Sequence, residues 1–127
     1  MVYRILLVGC GNVGSRHLQA LVKIPTALQI NIIEPNNSSK KLGLSRLKEI
    51  PYNKKTKIII WHDCYTSKIL HSDLVIVATL SKNRANLLIK LIKNGHKRIL
   101  SEKILCQSKS EYEKIIKICK NKEAKIG

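Results

Sequence analysis

Residues 3–14 read Tyr3-Arg4-Ile5-Leu6-Leu7-Val8-Gly9-Cys10-Gly11-Asn12-Val13-Gly14, an apolar run that breaks into three spaced glycines. The run from Tyr3 to Val8 has the composition of a parallel strand covered on both faces. Beyond it, Val13, Leu18, Leu21 and Val22 recur at helical spacing, with Arg16, Gln19 and Lys23 on the opposite side, until Pro25 stops the pattern. A strand and a helix joined by G-x-G-x-x-G is the layout of a loop that holds a dinucleotide pyrophosphate. Each glycine has its own task. Gly9 permits the tight turn, Gly11 keeps a Cβ out of the path of the phosphates, and Gly14 lets the helix pack closely on the strand. Asn12 and Val13 open the helix, whose unpaired N–H groups and positive dipole end face the phosphates.

Working outward, a second strand over residues 28–34 ends at Glu34, 20 positions beyond Gly14. A carboxylate there accepts hydrogen bonds from the adenosine ribose hydroxyls and repels a 2′-phosphate. The expected cofactor is therefore NAD rather than NADP, with Lys40 and Lys41 as the residues near enough to meet a phosphate. Arg16 and His17, one turn into the first helix, read as packing or surface residues. Cys10 would offer the cofactor its backbone rather than its thiol.

The rest of the chain keeps alternating. A weaker helix over 39–50 is interrupted by Gly43 and closed by Pro51, and the polar stretch 36–41 reads as a loop. A third strand spans 57–61, one or two helical turns fall within 65–70, and 73–79 is a buried strand. A helix over 83–94 turns Leu87, Leu88, Leu91 and Ile92 to one face and stops at Gly95. After a strand over 97–101, a last helix over 108–121 is expected to turn Tyr112, Ile115, Ile116 and Cys119 inward and to pair Glu113 with Lys117 outward. Residues 124–127 look like the opening of a sixth strand. This alternation predicts right-handed βαβ units and an α/β, doubly wound parallel sheet of Rossmann type, three layers thick with five to six strands.

Composition bounds the function. The 127 residues suit one domain, and 44% apolar content argues against wholesale disorder. No apolar run approaches the ~20 residues that cross a bilayer, and no cleavage-site pattern follows the first residues, so a cytoplasmic location and no membrane partner are expected. Lys+Arg number 24 against 8 Asp+Glu, a net charge of +16. Nineteen of the basic residues are Lys, and none stand in blocks longer than two. Specific nucleic-acid readers use arginine freely, so the charge reads as a solvated surface with no specific nucleic-acid partner. Cys10, Cys64, Cys106 and Cys119 form no close pair, and His17, His62, His71 and His96 are scattered. No metal site is expected, and the thiols are expected to be reduced and mostly buried.

Three marks in order, the loop 9–14 followed by His17, the strand Asp73-Leu74-Val75-Ile76-Val77-Ala78-Thr79, and Ser101-Glu102-Lys103, make the chain resemble the Gfo/Idh/MocA oxidoreductases. The resemblance implies that Ala78, Thr79 and Leu80 pass along the cofactor. It also implies that Glu102-Lys103-Ile104, matching the family's Glu-Lys-Pro, brings its lysine to nicotinamide and substrate. Lys103 is then the catalytic candidate, a buried or crowded ammonium that hydrogen-bonds a substrate hydroxyl as its proton leaves. Its place just past the carboxyl end of a parallel strand is independently where open α/β sheets bind ligands. Two departures stand out: Ile104 replaces the proline, and Arg84 falls near where many members have a histidine.

On this resemblance, residues 1–127 are the dinucleotide-binding Rossmann domain, without the family's C-terminal substrate domain. The implied reaction moves a hydride between nicotinamide and a hydroxyl-bearing carbon of a sugar, cyclitol or sugar nucleotide. A small hydroxylated substrate and a homo-oligomer belong to a full-length form, and this segment alone is expected to be inactive. Two other readings compete: a nucleotide-sensing Rossmann module without chemistry, and a polyanion-binding basic protein. The last separates by salt. Electrostatic adhesion to DNA should vanish at about 0.2 M salt in a filter-binding assay, and retention there would favour the polyanion reading.

Overall fold

The computed structural model describes residues 1–66, 69, 71–103 and 105–127. Within them β1 (Tyr3–Val8), β2 (Leu28–Ile33), β3 (Lys57–His62), β4 (Leu74–Val77), β5 (Arg98–Ser101) and β6 (Lys125–Ile126) pair in parallel in the order β3-β2-β1-β4-β5-β6. Helices α1 (Asn12–Lys23), α2 (Asn37–Lys48), α3 (Arg84–Lys93) and α4 (Lys109–Lys122) make the crossovers. The strand order reverses between β1 and β4, and that reversal opens a crevice beyond their carboxyl ends.

Period-two alternation in β1 builds both cores. Ile5 and Leu7 face one side with Leu18, Leu21 and Val22 of α1 and Ile30 and Ile32 of β2. Leu6 and Val8 face the other with Val75 and Val77 of β4 and Leu88, Leu91 and Ile92 of α3. The sequence predicts three layers and five to six strands; the described sheet has six.

Several local expectations are corrected. Residues 36–41 are not a loop: Asn36 caps α2, its side chain accepting from Ser39 N at 3.0 Å, so the polar stretch is a helix start. Gly43 does not interrupt α2 but seats it, because a Cβ there would lie 2.7 Å from Cys10 Sγ and 2.9 Å from Trp61 Cη2. Val13 is exposed at the open first turn of α1. Gln19 is buried between α1 and α2, donating to Arg46 O at 2.8 Å and Glu49 Oε2 at 3.1 Å. Amide hydrogen bonds, invisible to apolar periodicity, explain that inversion.

On α4, Ile115 is buried while Tyr112 and Ile116 remain about half exposed. Glu113 pairs with Lys109 at 4.0 Å rather than with Lys117. Strands β4 and β5 are shorter than expected, and Asp73 stands outside β4, accepting from Arg4 N at 2.7 Å. Of the thiols only Cys10 is buried; Cys64 is exposed and Cys106 and Cys119 are intermediate. Half of the helical turn expected within 65–70 falls on 67, 68 and 70, outside the described residues.

A buried polar cluster sits under α3. His96 holds Ser72 Oγ at 2.7 Å through Nδ1 and Tyr65 Oη at 3.2 Å through Nε2, while Asn94 donates to that same hydroxyl at 3.1 Å. Burial holds the imidazole below its ordinary value of 6.5. From 6.5 down to that lowered value the unfolded chain binds more protons than the folded one, so stability falls as pH drops through the window. Urea midpoints measured from pH 7.5 to 5 should decline, and His96→Gln should flatten the decline.

Candidate dinucleotide site

A cleft of about 1000 Å³ opens over the crevice between the two halves of the sheet. Of the site residues expected from sequence, all but Gly14 line it. The glycines divide their labour as their spacing foretold. Gly9 has φ +93, and a Cβ on it would lie 2.8 Å from Ala78 O. A Cβ on Gly14 would lie 2.0 Å from Gly9 O, so this glycine serves packing behind the wall. Gly11 differs: its nearest neighbour would be Ser39 Oγ at 3.7 Å, which leaves open room that a Cβ would fill.

Gly11 is the N-cap of α1 and supplies no side-chain acceptor, and no acidic residue stands in the first turn. The first intrahelical bond runs from Ser15 N to Gly11 O at 2.9 Å, leaving the earlier N–H groups for an anion. Arg46 of α2 fixes that turn, donating to Asn12 O at 2.6 Å, Asn12 Oδ1 at 2.9 Å and Ser15 Oγ at 2.6 Å. The sequence reading passed over Arg46. Its reach across 34 positions leaves no local signal.

Glu34 lies just past β2 and is 8% exposed. Its Oε1 accepts from Cys10 N at 2.7 Å and its Oε2 from Asn36 N at 3.0 Å. Each oxygen keeps further acceptor capacity, which ribose hydroxyls would use. Lys40 instead lies over the Trp61 ring at 5.8 Å, and neither it nor Lys41 lines the cleft. The Cys10 thiol is pushed up to about 12, by burial first and then by the Glu34 charge, so it stays protonated and inert. The residues present fit a dinucleotide: an uncapped helix start for the pyrophosphate, a Cβ-sized space at Gly11, and a carboxylate for the ribose.

The other half of the cleft is tied together by Arg84. Buried at the start of α3, it donates to Glu102 O at 2.6 Å and to Thr79 O. Burial lowers its pKa, and the Glu102 charge opposes that shift. A cation at a helix N-terminus is disfavoured by the dipole, which is the signal in the sequence that Arg84 has a partner elsewhere. Ala78 N donates to Val8 O at 2.8 Å and Glu102 N to Val77 O at 3.0 Å, anchoring both turns to the sheet. Thr79 Oγ1 is buried without a hydrogen-bond partner among the described residues. Leu80 is 85% exposed on the cleft wall.

His17 is more than a surface residue: its Nε2 lies 2.7 Å from Glu102 Oε1, joining α1 to the end of β5. Lys103 is exposed at the cleft mouth, not the buried or crowded ammonium expected, and Ile104 lies outside the described residues. Among the described residues no group of three His, Cys, Asp or Glu side chains is placed to hold a metal ion, and no helix is long and apolar enough to cross a membrane.

Comparison with known proteins gives a family match over residues 3–127 to GFO_IDH_MocA, the oxidoreductase family with an NAD-binding Rossmann fold. Among solved structures, myo-inositol dehydrogenase from Lactobacillus casei, in complex with NAD(H) and myo-inositol, superposes with TM-score 0.76 at 15% identity, covering 100% of this chain and 37% of that one. The WlbA dehydrogenase from Bordetella pertussis, in complex with NADH and UDP-GlcNAcA, gives TM-score 0.74 at 18% identity over 98% and 35% of the two chains. A biliverdin reductase from Synechocystis, with biliverdin and NADP+, gives 0.74 at 13% identity over 98% and 36%. No curated protein matches the sequence. The chain spans about a third of the length of each of these structures.

Two glycine variants separate ligand space from folding space. Gly14→Ala should lower the melting temperature sharply, its Cβ having to displace backbone. Gly11→Ala should leave the melting temperature unchanged while weakening NADH binding about tenfold or more, read by fluorescence titration.

Proposed function

The chain belongs to the Gfo/Idh/MocA oxidoreductase family through its NAD-binding Rossmann domain, and from that premise we propose that it is the cofactor-holding part of a longer dehydrogenase acting on a hydroxyl-bearing carbon. The single observation that carries this reading is the pairing, across one cleft, of the open space at Gly11 with the Glu34 carboxylate. Sugars, cyclitols and sugar nucleotides are the proposed substrate class, on the likeness to the inositol and WlbA dehydrogenases. Substrate-holding residues are assigned to a further domain of the longer protein.

NAD, when bound, supplies a hydride acceptor or donor at C4 of its nicotinamide. The first turn of α1 holds the pyrophosphate through its N–H groups, and Glu34 accepts from the ribose hydroxyls. Arg84 keeps the Thr79 and Glu102 turns at one spacing, so the cleft retains its width. Lys103, exposed on the cleft wall, donates a hydrogen bond to the substrate oxygen and stabilises negative charge on it. The exposure of Lys103 favours a second reading, a nucleotide-sensing module without chemistry.

Titration of the purified chain with NADH and NADPH tests the cofactor assignment. NADH should bind at submillimolar concentration and NADPH about tenfold more weakly, with Glu34→Ala narrowing the gap. No NADH binding at millimolar concentration would remove the reading. Lys103→Ala should leave NADH affinity within about twofold and cut turnover of a full-length form by about 10²–10⁴. Unchanged turnover would favour the sensing module.

A further inference from the structure

A dinucleotide laid across the crevice with its adenosine ribose at Glu34 brings its nicotinamide over the ends of β4 and β5. The oxidised ring carries a positive charge and the reduced ring carries none. In that half of the cleft the charged wall residues are Arg84, Lys103 and Glu102. Two are cations, which disfavour an oxidised ring. Among the described residues, Glu102 is therefore the carboxylate available there to offset them.

The backbone of Glu102 has little freedom, since its N donates to Val77 O at 3.0 Å and its O accepts from Arg84 at 2.6 Å. Its side chain is 36% exposed and is directed toward α1 by His17, whose Nε2 lies 2.7 Å from Oε1. An ionised carboxylate only accepts, so Nε2 carries the shared proton. That hydrogen bond draws negative charge toward α1 and away from the space over β4 and β5.

We propose that the His17–Glu102 pair sets the relative affinity of the site for oxidised and reduced NAD. Glu102 supplies the charge that favours the oxidised ring, and His17 withholds part of it by donating to the carboxylate. Both are specificity-determining residues and neither is assigned a chemical step. The proposal rests on the reading of the cleft as an NAD site.

Calorimetric titration of the 127-residue chain with NAD+ and with NADH, for the wild type, Glu102→Gln, His17→Leu and His17→Gln, decides the matter. The quantity read is the ratio of the two dissociation constants. Glu102→Gln should shift it about three- to tenfold toward NADH, and His17→Leu should shift it toward NAD+ by a similar factor. His17→Gln, which retains a donor, should return it to within about twofold of wild type. A purely structural role would weaken both dinucleotides together. If both bind and the ratio stays within about twofold in Glu102→Gln and His17→Leu, the proposal is overturned and the cleft reading stands. Failure of the wild type to bind either dinucleotide would overturn both. Should His17→Leu fail to fold in a thermal melt, the isosteric Glu102→Gln decides alone.

Discussion

No side chain fits at position 14, because a Cβ there would lie 2.0 Å from the carbonyl oxygen of Gly9. That contact fixes how tightly the chain turns from β1 into α1, and the remaining structure is built on the turn. It sets α1 close against the sheet, so Leu18, Leu21 and Val22 reach Ile5 and Leu7 in one core. It presses Gly9 against Ala78 and brings the start of α1 to the reversal of strand order. A wider turn would lift the helix start from the crevice and remove its N–H groups from any ligand lying there.

The two halves of the cleft are held differently. At the ends of β1 and β2 the holding is done by backbone, with Glu34 accepting from Cys10 N and Asn36 N. Loop shape and carboxylate position are thereby coupled, and neither can drift without the other. At the ends of β4 and β5 the holding is done by side chains, Arg84 from α3 and His17 from α1, meeting at Glu102. Short strands leave less ladder there: β4 and β5 have four residues each, against six in β1 and β2. Side-chain struts replace the hydrogen bonds that longer strands would have supplied.

The fold was legible because its governing signals are local. Apolar runs bounded by Gly and Pro place strands, and β1 and α1 coincide with the ranges read from sequence. The glycine turn between β1 and α1 was legible for the same reason, since six consecutive residues set its geometry. What escaped was long-range and polar. Gln19 is buried for the sake of two hydrogen bonds to α2, and Arg46 reaches from α2 to the first turn of α1. His17 and Glu102 are 85 positions apart and meet only because β5 ends beside α1. Periodicity reports which faces are apolar and says nothing about which polar groups find each other. The half-exposed face of α4 failed for a different reason, because apolar spacing marks a face without fixing how much of it is covered.

The three hydrogen bonds of Arg46 have a consequence for the energetics of ligand capture. They tie the first turn of α1 to a neighbouring helix, using groups of the protein alone. The donor array is therefore rigid before any anion arrives. An arriving phosphate loses its own freedom of motion but need not also freeze a floppy loop, which is the larger avoidable cost of binding. Association then meets a standing receptor, and the loop is stiffened in advance by an arginine that stands outside the cleft wall.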